Sequence, residues 1–197
     1  MHRIVNDEVT ANPFVAYGYT VDATGSLWFS KGQLIPSSFS NYDPKTKAVL
    51  REISFGGQYG LSRALFLRGA ILGFTHEASY GITFGRILRF ETQKAEPAQT
   101  ERITGCGFKQ ATVSPDQLFA AGICDEQSQA ELTFGALTVC NAIVLQTDTL
   151  HVLATIPLSK RTTWHSVAVW HGNGQVRVAA TDETQTVKIY SLPEPPK

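Results

Sequence analysis

One pattern recurs four times along the 197 residues: a turn rich in Gly, Asp or Asn, a short apolar strand, a polar loop, a second strand, a turn and a third strand. The first copy passes from Asp22-Ala23-Thr24-Gly25 into Leu27-Trp28-Phe29, turns at Tyr42-Asp43-Pro44-Lys45 and ends on residues 48–53. Asp43-Pro44 opens a turn because Pro pre-sets the backbone angle and the Asp side chain bonds its own chain two residues on. In the second copy residues 69–75 precede 85–92 and 100–104; in the third, 114–122 precede 141–148 and 152–156. The fourth joins 172–182 to 186–192. Runs such as Val187-Lys188-Ile189-Tyr190 alternate in polarity and carry β-branched and aromatic residues, which suit a pleated, half-buried surface.

Aligning Leu27, Ile71, Leu118 and Val176 gives separations of 44, 47 and 58 residues. A repeat of that length is one small antiparallel sheet that cannot bury its own faces, so several must stack. The expectation is an all-β chain: a β-propeller with about four antiparallel blades, over 13–54, 61–104, 108–158 and 163–192, either a small closed ring or a part-ring. Residues 1–12 are a candidate closing strand, since propellers leave an edge that needs covering. The Pro-rich tail 193–197 cannot continue a ladder and is expected to be an exposed extended end. One rival reading concerns 114–121, where Ser114-Pro115-Asp116 also suits a helix start with Pro at its first position. Gly122 and Ile123 lower helix propensity there.

Residues 111–122, Ala-Thr-Val-Ser-Pro-Asp-Gln-Leu-Phe-Ala-Ala-Gly, resemble the WD-repeat stretch in which a strand enters a Ser-Pro-Asp-Gly turn and leaves as a strand ending in small residues. Residues 178–192 resemble the end of a WD repeat, with Asp182 in a tight turn before Thr186-Val187-Lys188-Ile189 and with Tyr190-Ser191 in place of Trp-Asp. The first copy is similar instead to propellers of the gluconolactonase and virginiamycin-lyase type, through Gly25-Ser26-Leu27-Trp28-Phe29 and Tyr42-Asp43-Pro44-Lys45-Thr46. In the WD pattern, an Asp at the places of Asp125 and Asp182 organises a tight turn, and His165 resembles the histidine that begins many WD repeats.

Lys+Arg and Asp+Glu are both 17, for a formal net charge of +0. That removes the broad attraction that non-specific binding to phosphate backbones requires, so no nucleic acid partner is expected. A near-neutral surface gives little colloidal repulsion and favours a protein partner or self-association. The amino-terminal residues turn acidic at Asp7-Glu8, where a signal peptide would become apolar, and no run is long enough to span a bilayer, so no membrane insertion is expected. Cys106, Cys124 and Cys140 are odd in number and too widely spaced for a zinc knuckle, and the chain has no Asn-x-Ser/Thr acceptor. These features favour a reducing, cytoplasmic or otherwise intracellular setting, with each cysteine a small buried apolar residue.

Trp164-His165 and Trp170-His171 flank 166–169. Alternation puts Trp164, Ser166, Ala168 and Trp170 on one face and His165, Val167, Val169 and His171 on the other. Two histidines six residues apart along a strand lie roughly 20 Å apart, too far to share a metal. No metal site and no cofactor are expected. His76, Glu77 and Asp125 sit in corresponding loops and are the candidate catalytic residues, since a carboxylate or histidine near a propeller channel acts as a metal ligand or general base. Arg63, Arg68, Arg86 and Arg89, interleaved with Phe66, Phe84 and Phe90, are interface candidates together with Trp164 and Trp170. No nucleophile elbow, P-loop or His-Glu-x-x-His motif occurs. The reading favoured is a non-enzymatic, WD-repeat-like propeller acting as an interaction scaffold or assembly subunit. One alternative is a lactonase-like or lyase-like propeller enzyme or small-ligand binder with a divalent metal in the channel, which needs His76, Glu77 and Asp125 to converge. Another is a structural component of a viral or cell-surface assembly.

Overall fold

The computed structural model describes residues 2–5, 8–11, 16–21, 27–31, 38–43, 45–54, 61–79, 82–91, 98–125, 140–159 and 165–193. Every regular element among them is a β-strand, and every strand pairing is antiparallel. The chain divides into two compact units, Met1–Leu61 and Ser62–Lys197.

In the first unit, β1 (His2–Val5) and β2 (Glu8–Ala11) pair with each other as a two-stranded sheet. The segment 1–12, read as a candidate closing strand, thus contains both arms of this hairpin. Next, β3 (Ala16–Val21), β4 (Leu27–Lys31), β5 (Ser38–Asp43) and β6 (Ala48–Ser54) form a four-stranded meander. The β5–β6 turn is held by its own Asp: the Asp43 carboxylate accepts hydrogen bonds from Lys45 N at 2.9 Å and Thr46 Oγ1 at 2.7 Å. These two bonds hold the Asp43 carboxyl below its ordinary value. Trp28 on β4, Phe39 and Tyr42 on β5 and Ile53 on β6 are buried, while residues 48–52 of β6 face solvent.

The second unit begins with β7 (Leu61–Leu67) and β8 (Ala70–Thr75), followed by β9 (Glu77–Ser79), β10 (Ile82–Gly85), β11 (Ile87–Glu91), β12 (Ala98–Gln99) and β13 (Ile103–Thr104). These make a four-stranded sheet ordered β12-β11-β8-β7 and a small sheet ordered β13-β10-β9. Then β14 (Gly107–Val113), β15 (Phe119–Asp125), β16 (Cys140–Gln146) and β17 (Val152–Ser159) form a second four-stranded meander. The last sheet has three strands, β18 (Val167–Gly172), β19 (Gln175–Thr181) and β20 (Val187–Pro193). Leu27, Ile71 and Val176, aligned by spacing alone, each lie in the second strand of their sheets, and Leu118 immediately precedes the second strand of its own.

Two apolar layers join these sheets. On one face of the β14–β17 sheet, Phe108, Ala120, Cys124, Ile143 and Leu145 pack with Leu72, Phe74 and Ile87 of the preceding sheet. The Phe74 and Phe108 rings meet edge to face, with centroids 5.2 Å apart. On the opposite face, Phe119, Ala121, Ile123, Ala142 and Val144 pack with Val169, Val176, Val178 and Ala180 of the last sheet. Sheets meeting face to face through alternating side chains give the stacked-blade arrangement anticipated from the repeat.

Two expectations change. The segment that also suited a helix start is a tight turn leading into β15: Ser114 Oγ takes a hydrogen bond from Phe119 N at 3.0 Å, and Gln117 adopts a left-handed φ of 64°. Residues 119–125 bury on both faces, which a sheet between two neighbours provides and a surface helix does not. Cys106 and Cys124, read as separate buried thiols, are joined by a disulfide with Cα atoms 4.9 Å apart. The β14–β15 hairpin supplies that proximity, so two cysteines 18 residues apart become neighbours. Cys140 remains a free, buried thiol.

Candidate functional site

The strand ends of the second unit gather polar groups at two places. At the end where second strands finish and third strands start, β15 delivers Asp125 and β16 delivers Cys140 directly opposite it in the ladder. Lys109 sits at a register shift in β14, between Phe108 and Gln110, and a bulge of this kind re-aims a side chain. Its ammonium pairs with Asp125 Oδ2. Asp125 Oδ1 is buried and receives no hydrogen bond. His76, which follows β8 of the preceding sheet, lies within electrostatic reach of both charges. Burial lowers the His76 pKa; the Asp125 carboxylate works against that shift and Lys109 reinforces it. Burial, and then the Asp125 charge, push the Cys140 thiol up to about 12, so it stays protonated and inert as a nucleophile.

Of the three catalytic candidates, His76 and Asp125 therefore lie within electrostatic reach of each other. Glu77 is committed elsewhere: Arg86 Nε and Nη2 each reach its carboxylate at 2.9 Å, and Thr75 Oγ1 donates to it at 3.0 Å. Burial works to raise the Glu77 carboxyl, but these donors outweigh it and hold the group below its ordinary value. Arg102 stands 3.9 Å from the same carboxylate and lies over the Phe84 ring at 5.4 Å. Among the described residues no group of three or more His, Cys, Asp or Glu side chains is placed to hold a metal ion.

At the corresponding end of the last sheet, His165 is buried, with Nε2 2.9 Å from Ser159 Oγ and Nδ1 2.7 Å from Thr181 O. Asp182 Oδ1 accepts from Thr184 N, Thr184 Oγ1 and Thr186 N, and Oδ2 pairs with Lys188 at 3.0 Å. The Thr184 and Lys188 side chains hold the Asp182 carboxyl well below the carboxylate range. His171 takes a different partner, Asp116 Oδ2 at 2.9 Å, so the two histidines serve separate contacts.

The arginines read as one interface group also separate. Arg63 is exposed and donates to Ser62 O at 2.9 Å; Arg86 is bound to Glu77. Arg68 is exposed at the β7–β8 turn, and Arg89 crosses from β11 to Thr147 O at 2.7 Å. Trp164 lies outside the described residues. Trp170 is half-buried on the face of the last sheet that turns away from the shared apolar layer, directly across the ladder from Arg177. Ala168, Ala179, Ile189 and Val187 continue that face by register. Val187 is 62% and Ile189 64% exposed, and Arg177 Nε is buried without a hydrogen-bond partner. Lys109 and Arg177 were not singled out by sequence reasoning; the only trace either leaves in the sequence is a basic residue inside an apolar run.

No protein-family model matches the chain, and no curated protein matches it. Solved structures do. Hydrazine synthase from Kuenenia stuttgartiensis superposes with a TM-score of 0.60 at 11% identity, over 85% of this chain and 52% of that one. Dihydro-heme d1 dehydrogenase NirN, solved in complex with DHE, gives 0.48 at 13% identity, over 96% of this chain and 40% of that one. The WD40 domain of SCAP from fission yeast gives 0.27 at 11% identity, over 89% and 52%. The chain thus spans about half the length, or less, of these structures. The hydrazine synthase likeness, together with the stacked antiparallel sheets, makes this an all-β protein of the β-propeller type. Among the described residues no helix is long and apolar enough to cross a membrane.

Proposed function

We propose that the chain is a non-enzymatic propeller module that assembles with another protein, and that the outer face of its last sheet receives a β-sheet from that partner. The observation that carries this reading is the exposure of Val187 and Ile189 on a sheet whose other face packs, through Val169, Val176, Val178 and Ala180, against the preceding sheet. Blades of a propeller bury both faces, so an apolar face left open belongs to an interface. Trp and Arg, the residues that most often anchor protein interfaces, stand side by side on it as Trp170 and Arg177. Ala168 and Ala179 between them keep the centre flat, which fits another sheet better than a protruding loop. In the same place β20 has, among the described residues, a single strand neighbour, β19, and offers a ladder edge for strand addition.

The test is solution mass by light scattering, combined with amide hydrogen exchange along β20. The expected result is an assembled species with slow exchange in β20, converted to smaller particles with fast exchange by Ile189→Lys. A monomer whose β20 amides are already protected would mean that the chain covers this face itself, and the reading would fall.

The setting of such an assembly follows from the cysteines. Disulfides persist in oxidising compartments, so the Cys106–Cys124 bond supports a site of action outside the reducing cytosol, against the setting inferred from composition.

A further inference from the structure

A cavity of about 300 Å³ opens between the turn ends of the β7–β12 and β14–β17 sheets, remote in the ladder from Asp125 and on neither face of the last sheet. Its polar wall comes from three turns and one strand: Arg68 from the β7–β8 turn, Asp116 and Gln117 from the β14–β15 turn, Thr147 and Asp148 from the β16–β17 turn, and Arg89 from β11. Leu67 and Pro115 supply apolar surface. Internal hydrogen bonds brace these parts. Arg68 N donates to Gln117 Oε1 at 2.7 Å, Thr147 Oγ1 to Gln117 O at 2.6 Å, and Arg89 Nη1 to Thr147 O at 2.7 Å. The cavity is thus preformed, as ligand sites usually are.

Its charges are unevenly used. Asp116 is engaged by His171, by Ser114 Oγ and by Leu118 N. Among the described residues no carboxylate lies within ion-pair distance of the Arg68 guanidinium, whose backbone N–H alone is bonded. Arg89 is already paired through Nε with the Glu91 carboxylate at 3.6 Å, and that nitrogen is closed off from solvent. The Arg68 guanidinium, with unused donors at a cavity that Leu67 and Pro115 also line, is complementary to a carboxylate carried on a hydrocarbon. The Asp148 carboxylate, which caps Thr149 N at 2.8 Å, stays on the wall as a negative charge that opposes a dianion such as phosphate.

We propose that this cavity binds a small organic monocarboxylate, with Arg68 as its ion-pair partner and Leu67 and Pro115 against its apolar part. This site is independent of the assembly reading above, because none of its residues lies on the outer face of the last sheet.

The experiment is isothermal titration of the full chain with benzoate and, separately, with inorganic phosphate, at low ionic strength and pH 7. Saturable benzoate binding, weakened about tenfold or more in Arg68→Ala, is expected from the loss of one charge-assisted hydrogen-bonded pair. Arg68 is exposed, so the variant should keep the fold, checked by circular dichroism; Arg68→Gln provides a second variant that retains the side-chain stem. The proposal is overturned by the absence of saturable benzoate binding, by benzoate affinity unchanged in a folded Arg68 variant, or by phosphate binding at least as tightly as benzoate.

Discussion

The β14–β17 sheet and the β18–β20 sheet share one apolar layer yet read differently along their second strands. Every residue of β15 is buried, whereas β19 alternates between buried and partly exposed positions. The difference is the number of covered faces. The β14–β17 sheet lies between the Phe74–Phe108 layer on one side and the Phe119–Val178 layer on the other, so β15 needs small or apolar residues from 119 to 124, before Asp125 at its end. It reads Phe-Ala-Ala-Gly-Ile-Cys-Asp. Among the described residues the last sheet is covered on one face only, and Gln-Val-Arg-Val-Ala-Ala-Thr sets Val176, Val178 and Ala180 on that face. Sequence texture in a repeat protein therefore reports a sheet's position in the stack as well as its secondary structure.

The sharpest way to break this contrast is to hollow the doubly covered sheet. Phe108→Ala removes a fully buried ring from the joint between two sheets and should cost about 3–5 kcal/mol, read as a shift of the urea midpoint. A smaller but more specific effect is expected at Gly122. A Cβ there would come within 2.8 Å of the Phe108 ring and 2.9 Å of the Phe74 ring. Gly122→Ala should therefore destabilise by about 1–3 kcal/mol through overpacking. Part of that loss should return in the Phe108→Leu background, where the facing ring is gone, and a double-mutant cycle measures the coupling. Additive costs would show that the Phe108 ring on the neighbouring strand does not set the need for glycine.

Legibility in the sequence followed the range of the physics. Repeat spacing and β-branched runs are short-range signals, and they placed Leu27, Ile71 and Val176 in equivalent strands. Contacts that span two to four residues, such as those from Thr184 and Thr186 to Asp182, also mark the sequence locally through turn residue types. The misses are long-range. Arg89 meets Thr147 and Lys109 meets Asp125 only because sheets stack and a strand is bulged, and no spacing rule encodes either meeting. The Cys106–Cys124 pairing escaped for the same reason, since three widely spaced cysteines admit several arrangements until a hairpin register is fixed. His76 and Asp125 were singled out as equivalent loop positions, and it is the packing of one sheet on the next that sets them in each other's field.

The smallest predicted effect separates the two faces of one sheet. Val178 and Ile189 sit on adjacent strands, Val178 in the shared apolar layer and Ile189 on the outer face. Val178→Thr buries a hydroxyl among the side chains of Val169, Val176 and Ala180, none of which can bond it, and should cost about 1–3 kcal/mol. Ile189→Thr keeps β-branching at a solvent-facing site and should change the stability of the dissociated chain by no more than about 0.5 kcal/mol. Both are measured by urea denaturation at a protein concentration low enough to dissociate any assembly. Equal costs would mean that the last sheet, like the β14–β17 sheet, is covered on both faces within the isolated chain. The contrast between the two sheets would then collapse, and with it the argument that the outer face waits for a partner.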